Sequence, residues 1–307
     1  HVERAGVHSG DSIAVYPPYN LSDKMRENIC DVSEKLALSL GTKGLVNIQY
    51  LIYHNQLYVI EVNPRASRTI PYISKVTGVP MVDIASKVMI GQPLKDLGYG
   101  TGLYKTPPSF TVKVPVFSFE KLSDVNSILG PEMKSTGEVL GIGKTTAEAL
   151  YKGLTSAGFK IQLPTAEKNI GILLSVDSHD LLDAVSLAKK LDDLKINIYA
   201  TKETAEAISQ LGIDVECVQS RINDNSEIYK LLESGKIDYV VYTGALHDST
   251  MGDYIALHRR AIQLSIACIT SLDTANALAD IIASRYNQQN TELVDINNMR
   301  SERQTLK

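Results

Sequence analysis

Residues Val46 to Arg68, VNIQYLIYHNQLYVIEVNPRASR, constrain the chain most. VNIQYLIY and LYVIEV are rich in Val, Ile and Tyr, residues that favour extended backbone, so both read as strands. His54-Asn55-Gln56 between them is a short polar loop of hairpin length. Pairing Tyr53 with Leu57 sets Gln49 opposite Glu61 and Asn47 opposite Asn63. Side chains alternate along a strand, so these four share one face. The other face carries Ile48, Tyr50, Ile60 and Val62 and is expected to be core. One hairpin face then holds four oxygen-bearing side chains, one of them anionic. Hard divalent cations such as Mg²⁺ take oxygen ligands and often only one or two carboxylates, because phosphates supply the rest. Arg65 and Arg68 follow at once, planar donors suited to phosphate or carboxylate. A solvated hairpin face with loose charges is the alternative reading of the same pattern. Against it stands the Asn-Pro-Arg ending, where Pro64 stops the ladder.

The rest of the chain sets the class. Its 307 residues suffice for two domains of ordinary size. Hydrophobic content of 44% with 21% charged residues is a globular balance. A net charge of −4 leaves no electrostatic footprint for a nucleic-acid partner. No apolar run approaches the roughly 20 residues of a membrane span, and no signal peptide opens the sequence. Cys30, Cys217 and Cys268 are far apart and odd in number, which fits a reducing cytoplasm and neither a disulfide framework nor a zinc site. Because the first residue is His, in mid-motif, the chain is expected to be a fragment of a longer one.

In chain order, Ser12–Tyr16 reads as a strand ended by Pro17-Pro18. Ser22–Leu40 reads as a helix, N-capped by Ser22 and closed by Gly41, with Met25, Ile29, Val32, Leu36 and Leu40 as its core stripe. Helices are expected over Thr69–Val76 and Met81–Ile90, split by Gly78-Val79-Pro80. Ser109–Phe119 alternates like a strand, with Pro115 suggesting an edge. GEVLGIGKT, Gly137 to Thr145, looks like a phosphate loop, but Glu138 stands where that motif needs its first Gly. It therefore reads as strand and turn into a helix Thr145–Ser156. From Asn169 strands and helices alternate. Strands are expected at Asn169–Val176, Ile196–Ala200, Tyr239–Tyr242 and Ile266–Thr270. Helices are expected at Asp180–Leu191, Thr204–Leu211, Ile255–Leu264 and Asp273–Tyr286. That spacing implies a parallel, doubly wound α/β domain. One more short strand is expected at Glu292–Asp295. Ligands of such sheets sit outside the carboxyl ends of the strands, where Thr201, Thr204 and the pair Thr243-Gly244 lie. Those threonines serve equally well as ordinary helix caps. The expected division is 1–157, a linker at 158–168 containing a proline and crossed by few contacts, and an independently folding 169–307.

Glu61-Val-Asn-Pro-Arg65 with Gln49 upstream resembles the magnesium-nucleotide site of the ATP-grasp superfamily. EVNPRASRTIPYISKVTGVP, HSGDS (His8–Ser12) and GPEMKSTGEVLGIG (Gly130–Gly143) together resemble the large chains of carbamoyl-phosphate synthases. The likeness is to the end of the second ATP-grasp half followed by a methylglyoxal-synthase-like regulatory domain. It implies an α/β and α+β architecture and ATP-dependent phosphorylation of carbamate to carbamoyl phosphate, for arginine and/or pyrimidine biosynthesis. It implies Mg²⁺ or Mn²⁺ on Gln49, Glu61 and Asn63. It implies ATP contacts from Gly6, Val7, His8, Ser9, Gln49 and Glu61, and catalytic roles for Arg68 and Arg65. A plain loop histidine is the alternative reading of His8. Implied partners are carbamate or bicarbonate, a glutaminase small subunit, and further copies in a homo-oligomer of heterodimers. In the same family an effector nucleotide binds near Thr201, Thr204 and Thr243, but Leu181 and Tyr242 replace basic and amide side chains of that pocket, which argues for weak binding. Another ATP-grasp carboxylate-amine ligase, or a module that only binds an effector, are the rival functions. Methylglyoxal synthesis is disfavoured, since no carboxylate pair stands beside a phosphate cradle. The fragment alone is expected to be inactive.

Overall fold

The computed structural model describes residues 1–18, 20–118, 129–165, 168–218, 227–243 and 248–294. Two compact units divide the chain. One joins His1–Ala14 to Val112–Glu292; the other is Val15–Thr111 with the described tail residues Leu293 and Val294. Gly244 and residues 119 and 295 of the expected strands lie outside the described residues. Residues 292–294 form no strand.

In the unit Val15–Thr111, helix α1 (Asp23–Ser39) begins where expected: the Ser22 hydroxyl accepts from the Met25 N–H at 3.3 Å. Its stripe is buried only at Met25, and Leu40 is 54% exposed. Strands β2 (Asn47–Tyr53) and β3 (Gln56–Asn63) form the hairpin. Tyr50 Oη and Ser33 Oγ, 2.6 Å apart, tie the hairpin to α1. Helices α2 (Thr69–Thr77) and α3 (Met81–Met89) follow, separated by Gly78, whose φ of 69° gives the left-handed end that lacks a Cβ penalty.

Strands β1 (Ala14–Tyr16), β4 (Phe110–Val116) and β5 (Gly137–Gly143) make a sheet in the order β1-β4-β5, and the division of the chain falls inside the first two. Pro115 thus sits, buried, in the strand that is central in this order, not in an edge strand. β1 has 3 residues against the 7 of β4, so part of β4 is left unpaired on that side, which is where a strand tolerates proline. Helix α4 (Thr146–Ser156) packs on β5 through glycines. A Cβ on Gly141 would stand 1.9 Å from the Ala149 carbonyl oxygen and 2.5 Å from the Gly153 nitrogen. Gly141 and Gly143 of GEVLGIGKT therefore serve backbone contact between strand and helix. Buried Glu148 accepts from the backbone N–H groups of Lys144 and Glu292 at 2.9 and 3.1 Å and from the Lys152 ammonium at 2.8 Å. Burial alone would raise its pKa, but these donors hold the carboxyl below its ordinary value.

The second sheet is parallel, with order β10-β9-β6-β7-β8. Its strands are β6 (Gly171–Ser175), β7 (Asn197–Thr201), β8 (Glu216–Val218), β9 (Tyr239–Tyr242) and β10 (Ala267–Ile269). Its helices are α5 (Leu181–Asp193), α6 (Lys202–Ser209), α7 (Glu227–Glu233), α8 (Asp248–Gln263) and α9 (Leu272–Ser284). Alternate strand residues enter different cores. Ile172, Leu174, Ile198 and Val241 face the cluster with α5 and α9; Leu173, Tyr199, Val240 and Tyr242 face the cluster with Ile228, Leu232 and Leu257. Two covered faces explain why these strands read as continuous apolar runs. β8 and α7, short and flanking residues 219–226, have no counterpart in the sequence reading. Residues of the expected linker pack onto this layer: Phe159 stacks on Tyr239 with ring centroids 6.1 Å apart, and the Gln162 N–H donates to Tyr239 Oη at 2.7 Å. Lys168 Nζ reaches the buried Asp238 carboxylate at 2.6 Å.

Gly141→Ala is expected to lower stability by about 1–3 kcal/mol or more through overpacking. Gly100→Ala, where a Cβ meets nothing within 4 Å, should leave the melting temperature nearly unchanged. Thermal melts of the two variants side by side check this.

Candidate functional site

The hairpin turn is shorter than its composition suggests. His54 and Asn55 both have positive φ, 46° and 60°, and Tyr53 pairs with Gln56, so this is a two-residue turn of the type whose twist matches the strands. Continued unbroken, that register would set Gln49 against Ile60 and Asn47 against Val62. A bulge between Gln49 and Tyr50 corrects it: Tyr50 pairs with Val59, Gln49 with Glu61, and Ile60 is the extra residue. Asn47 then faces Asn63, as expected. The apolar side differs from expectation. Ile60 is 55% exposed, and Ile48, Tyr50 and Val62 are only half-buried, because a two-stranded sheet with one helix against it covers little of that face.

The polar face is already connected. Glu61 Oε1 accepts from Gln49 Nε2 at 3.2 Å and from Asn63 Nδ2 at 2.5 Å. Asn63 Oδ1 in turn accepts from the Arg65 guanidinium at 3.1 Å. Gln49, Glu61, Asn63 and Arg65 thus form one chain of contacts, with a single carboxylate at its centre. The donor set is all oxygen, which suits Mg²⁺ or Mn²⁺ in company with phosphate and does not suit zinc, whose usual ligands include His or Cys. Arg68 is exposed at the N-cap of α2 and makes no capping bond with its side chain. Beside it a cleft of about 460 Å³ is lined by Ala66, Ser67, Ile70, Pro71, Met81 and Val82.

Gly6, Val7, His8 and Ser9 lie in the other unit and are held by their own backbone. Gly6 has φ 100°, a conformation that favours glycine. The His8 N–H donates to the Gly130 carbonyl at 2.8 Å, and His8 Nδ1 accepts from the Gly10 N–H at 3.0 Å. His8 does make a local hydrogen bond, and that bond places the neutral ring's proton on Nε2.

Residues 2–97 match the family model of the ATP-binding domain of the carbamoyl-phosphate synthase L chain, and residues 183–270 match an MGS-like domain. The carbamoyl phosphate synthase large chain of Clostridium perfringens (strain 13 / Type A) is 50% identical over 281 residues, 92% of this chain and 26% of that protein. The chain belongs with the carbamoyl phosphate synthase large chains. That of Clostridium botulinum (strain Kyoto / Type A2) is 47% identical over 298 residues, 97% of this chain and 28% of that protein. For Lachnoclostridium phytofermentans the identity is 49% over 278 residues, 91% and 26% of the two chains. The chain therefore spans about a quarter of the length of these relatives. In this large-chain segment the hairpin falls inside the L-chain ATP-binding match, and the carboxyl ends of β7 and β9 fall inside the MGS-like match. No helix among the described residues is long and apolar enough to cross a membrane.

The sheet order of the MGS-like part reverses between β6 and β9, the place where ligands of such sheets collect. There the three threonines converge on the end of β6 and the two residues after it. Thr204, fully buried, accepts from the Val176 N–H at 3.3 Å; Thr243, 3% exposed, accepts from the Asp177 N–H at 2.9 Å. The Thr201 hydroxyl lies 3.4 Å from Ser175 Oγ. Their hydroxyls therefore brace the turn. The sequence reading did not single out Arg4, which donates to the Thr243 and Thr270 carbonyls at 3.4 and 3.3 Å and to Asp180 at 3.5 Å. It also passed over Lys113, 6% exposed, because a Lys in an alternating strand reads as a solvent-facing residue.

Thr243→Val is expected to destabilise the chain by about 1–3 kcal/mol, since it leaves the part-buried Asp177 N–H without that acceptor. Urea unfolding with an unchanged m-value is the check; an unchanged midpoint would mean that the hydroxyl is not a brace.

Proposed function

We propose that the chain is part of an ATP-dependent ligase that phosphorylates carbamate to carbamoyl phosphate. The observation that carries this reading is the hairpin face on which Glu61 lies between Gln49 and Asn63, with Arg65 bound to Asn63. Gln49, Glu61 and Asn63 would hold Mg²⁺ or Mn²⁺ beside the phosphates of ATP. When bound, the ion supplies charge neutralisation for the phosphoryl group in flight. Gln49 and Asn63 would then turn their amide oxygens toward it, which frees Arg65 for a phosphate oxygen. Arg68 steadies carbamate and the transferring group. Gly6, Val7, His8 and Ser9 contact the nucleotide. Phosphoryl transfer needs placement and charge stabilisation more than covalent chemistry from the protein, and this residue set offers those two things.

In this reading residues 1–157 belong to the second synthetic unit, 158–168 join it to the regulatory part, and 169–307 form that part. The glutaminase small subunit supplies the nitrogen, bicarbonate supplies the carbon, and the complex assembles as an oligomer of heterodimers in the cytoplasm. The product enters arginine or pyrimidine synthesis. Glu61→Gln, made in a large chain carrying this sequence, should reduce carbamoyl phosphate formation by at least about a hundredfold with the circular dichroism spectrum unchanged. Wild-type turnover at saturating Mg²⁺ would contradict it.

Regulation by uridine or inosine monophosphate is expected to be weak. A nucleotide monophosphate brings about two negative charges, which need several charge-assisted donors. The threonines offer neutral hydroxyls, those of Thr204 and Thr243 already engaged with backbone and that of Thr201 with the Ser175 and Thr204 hydroxyls; Leu181 packs against the core, and Tyr242 is buried. Titration of the chain with either nucleotide should give a dissociation constant weaker than about 100 μM. A low-micromolar constant that Thr201→Ala removes would overturn this.

A further inference from the structure

Two motifs meet in one place: HSGDS, whose first residues belong to the proposed nucleotide loop, is hydrogen-bonded to GPEMKST, which the proposed chemistry does not use. Both Asp11 oxygens are taken: Oδ2 accepts from the Lys134 N–H and Oδ1 from the Ser135 N–H, each at 2.8 Å, and the side chain is fully buried. Ser135 Oγ donates to the Gly10 carbonyl at 3.3 Å. From β4, the nearly buried Lys113 ammonium donates to the Ser9 and Gly10 carbonyls, each at 3.0 Å. The space is filled as well, since a Cβ on Gly10 would come within 2.9 Å of Met133 Sδ.

A buried ammonium is costly, and burial does push Lys113 below the ordinary lysine pKa, while Glu138 and Asp11 oppose that shift. A hydrophobic residue at position 113 would fill the core of this sheet at less cost, as Val112 and Val114 do on the same strand. The ammonium does what a hydrocarbon cannot: it binds two consecutive carbonyl oxygens from one point. With those carbonyls turned inward to Lys113, the peptide units on either side of Gly10 have a fixed orientation.

We propose that Lys113 is a positioning residue for the nucleotide loop, its ammonium fixing the Ser9 and Gly10 carbonyls so that Gly6 to Ser9 keeps the shape that meets the nucleotide. This rests on the reading of Gly6–Ser9 as a nucleotide contact. Asp11 acts as the counterpart: it fixes the loop from the other side by accepting amides where Lys113 donates to carbonyls. The clamp is of mixed polarity, so neither Lys113→Met nor Asp11→Leu would be neutral.

Two measurements separate the clamp from the nucleotide reading. Amide hydrogen exchange on the 307-residue chain tests the clamp alone. Lys113→Met should speed exchange at His8, Gly10 and Asp11 by about tenfold or more, with the amides of β6 and β9 unchanged. Lys113→Arg, which can still reach two carbonyls, should recover most of the protection. Should Lys113→Met fail to fold, Ser135→Ala decides, with a rise of about threefold expected at the same amides. No rise at these amides, or an equal rise through the β6 and β9 strands, overturns the proposal. Steady-state kinetics in a large chain carrying this sequence tests the link to ATP. Lys113→Met should raise KM for Mg-ATP about tenfold with a smaller change in kcat, and Lys113→Arg should rescue it. Faster exchange with an unaltered KM would leave a loop clamp but overturn the assignment of that loop to the nucleotide.

Discussion

Strand alternation is the constraint on which the site depends. A one-residue slip in a hairpin moves every side chain to the other face. Here the turn takes two residues, and the register it sets would scatter Gln49, Glu61, Asn47 and Asn63 over both faces. The bulge at Ile60 absorbs one residue and restores the polar face beyond it. What is lost is the cover on Ile60, now 55% exposed. Bulges recur beside functional sites because they re-aim side chains without changing the elements that carry them. Glu61, Asn63 and Arg65 owe their connection to this one irregularity.

The parallel sheet poses a different problem. Its strands end at a rim where backbone N–H groups after β6 would be left unpaired. Thr204 and Thr243 satisfy two of them, and Arg4 satisfies carbonyls after β9 and β10 from outside the sheet. Among the described residues of this rim, the Thr204 and Thr243 hydroxyls are thus already engaged with backbone. Threonines at such a rim do not by themselves make a ligand site, and the hydrogen-bond partners of Thr204 and Thr243 give the physical reason.

Close backbone approach explains the glycines that imitate a phosphate loop. Gly141 and Gly153 let β5 and α4 touch main chain to main chain, and Lys144, the apparent phosphate lysine, pairs with Glu292 at 2.7 Å. Glu148 collects two backbone N–H groups and an ammonium at the start of α4. A run of residues selected for packing can thus reproduce most of a catalytic spacing.

Local pattern was enough to place the hairpin strands, helices α1 to α6 and α9 within a few residues, the parallel α/β alternation, and the polar set Gln49, Glu61, Asn63 and Arg65. These follow from periodicity and capping, which act over a few residues and leave their mark in the sequence. Tertiary structure decided the rest. The turn length and the bulge cancel each other, so the strand pairs at the site come out the same and the sequence cannot reveal either one. The α1 stripe has the spacing of a core helix, yet only Met25 is buried, since burial depends on what packs against it. Pro115 lies in the central strand of its sheet because β4 pairs on both sides, and pairing partners distant in sequence leave no local mark. Lys113 and Arg4 look like ordinary surface cations in the sequence. Both reach backbone carbonyls, 103 or more residues away for Lys113 and 239 or more for Arg4, and a carbonyl has no residue type to read.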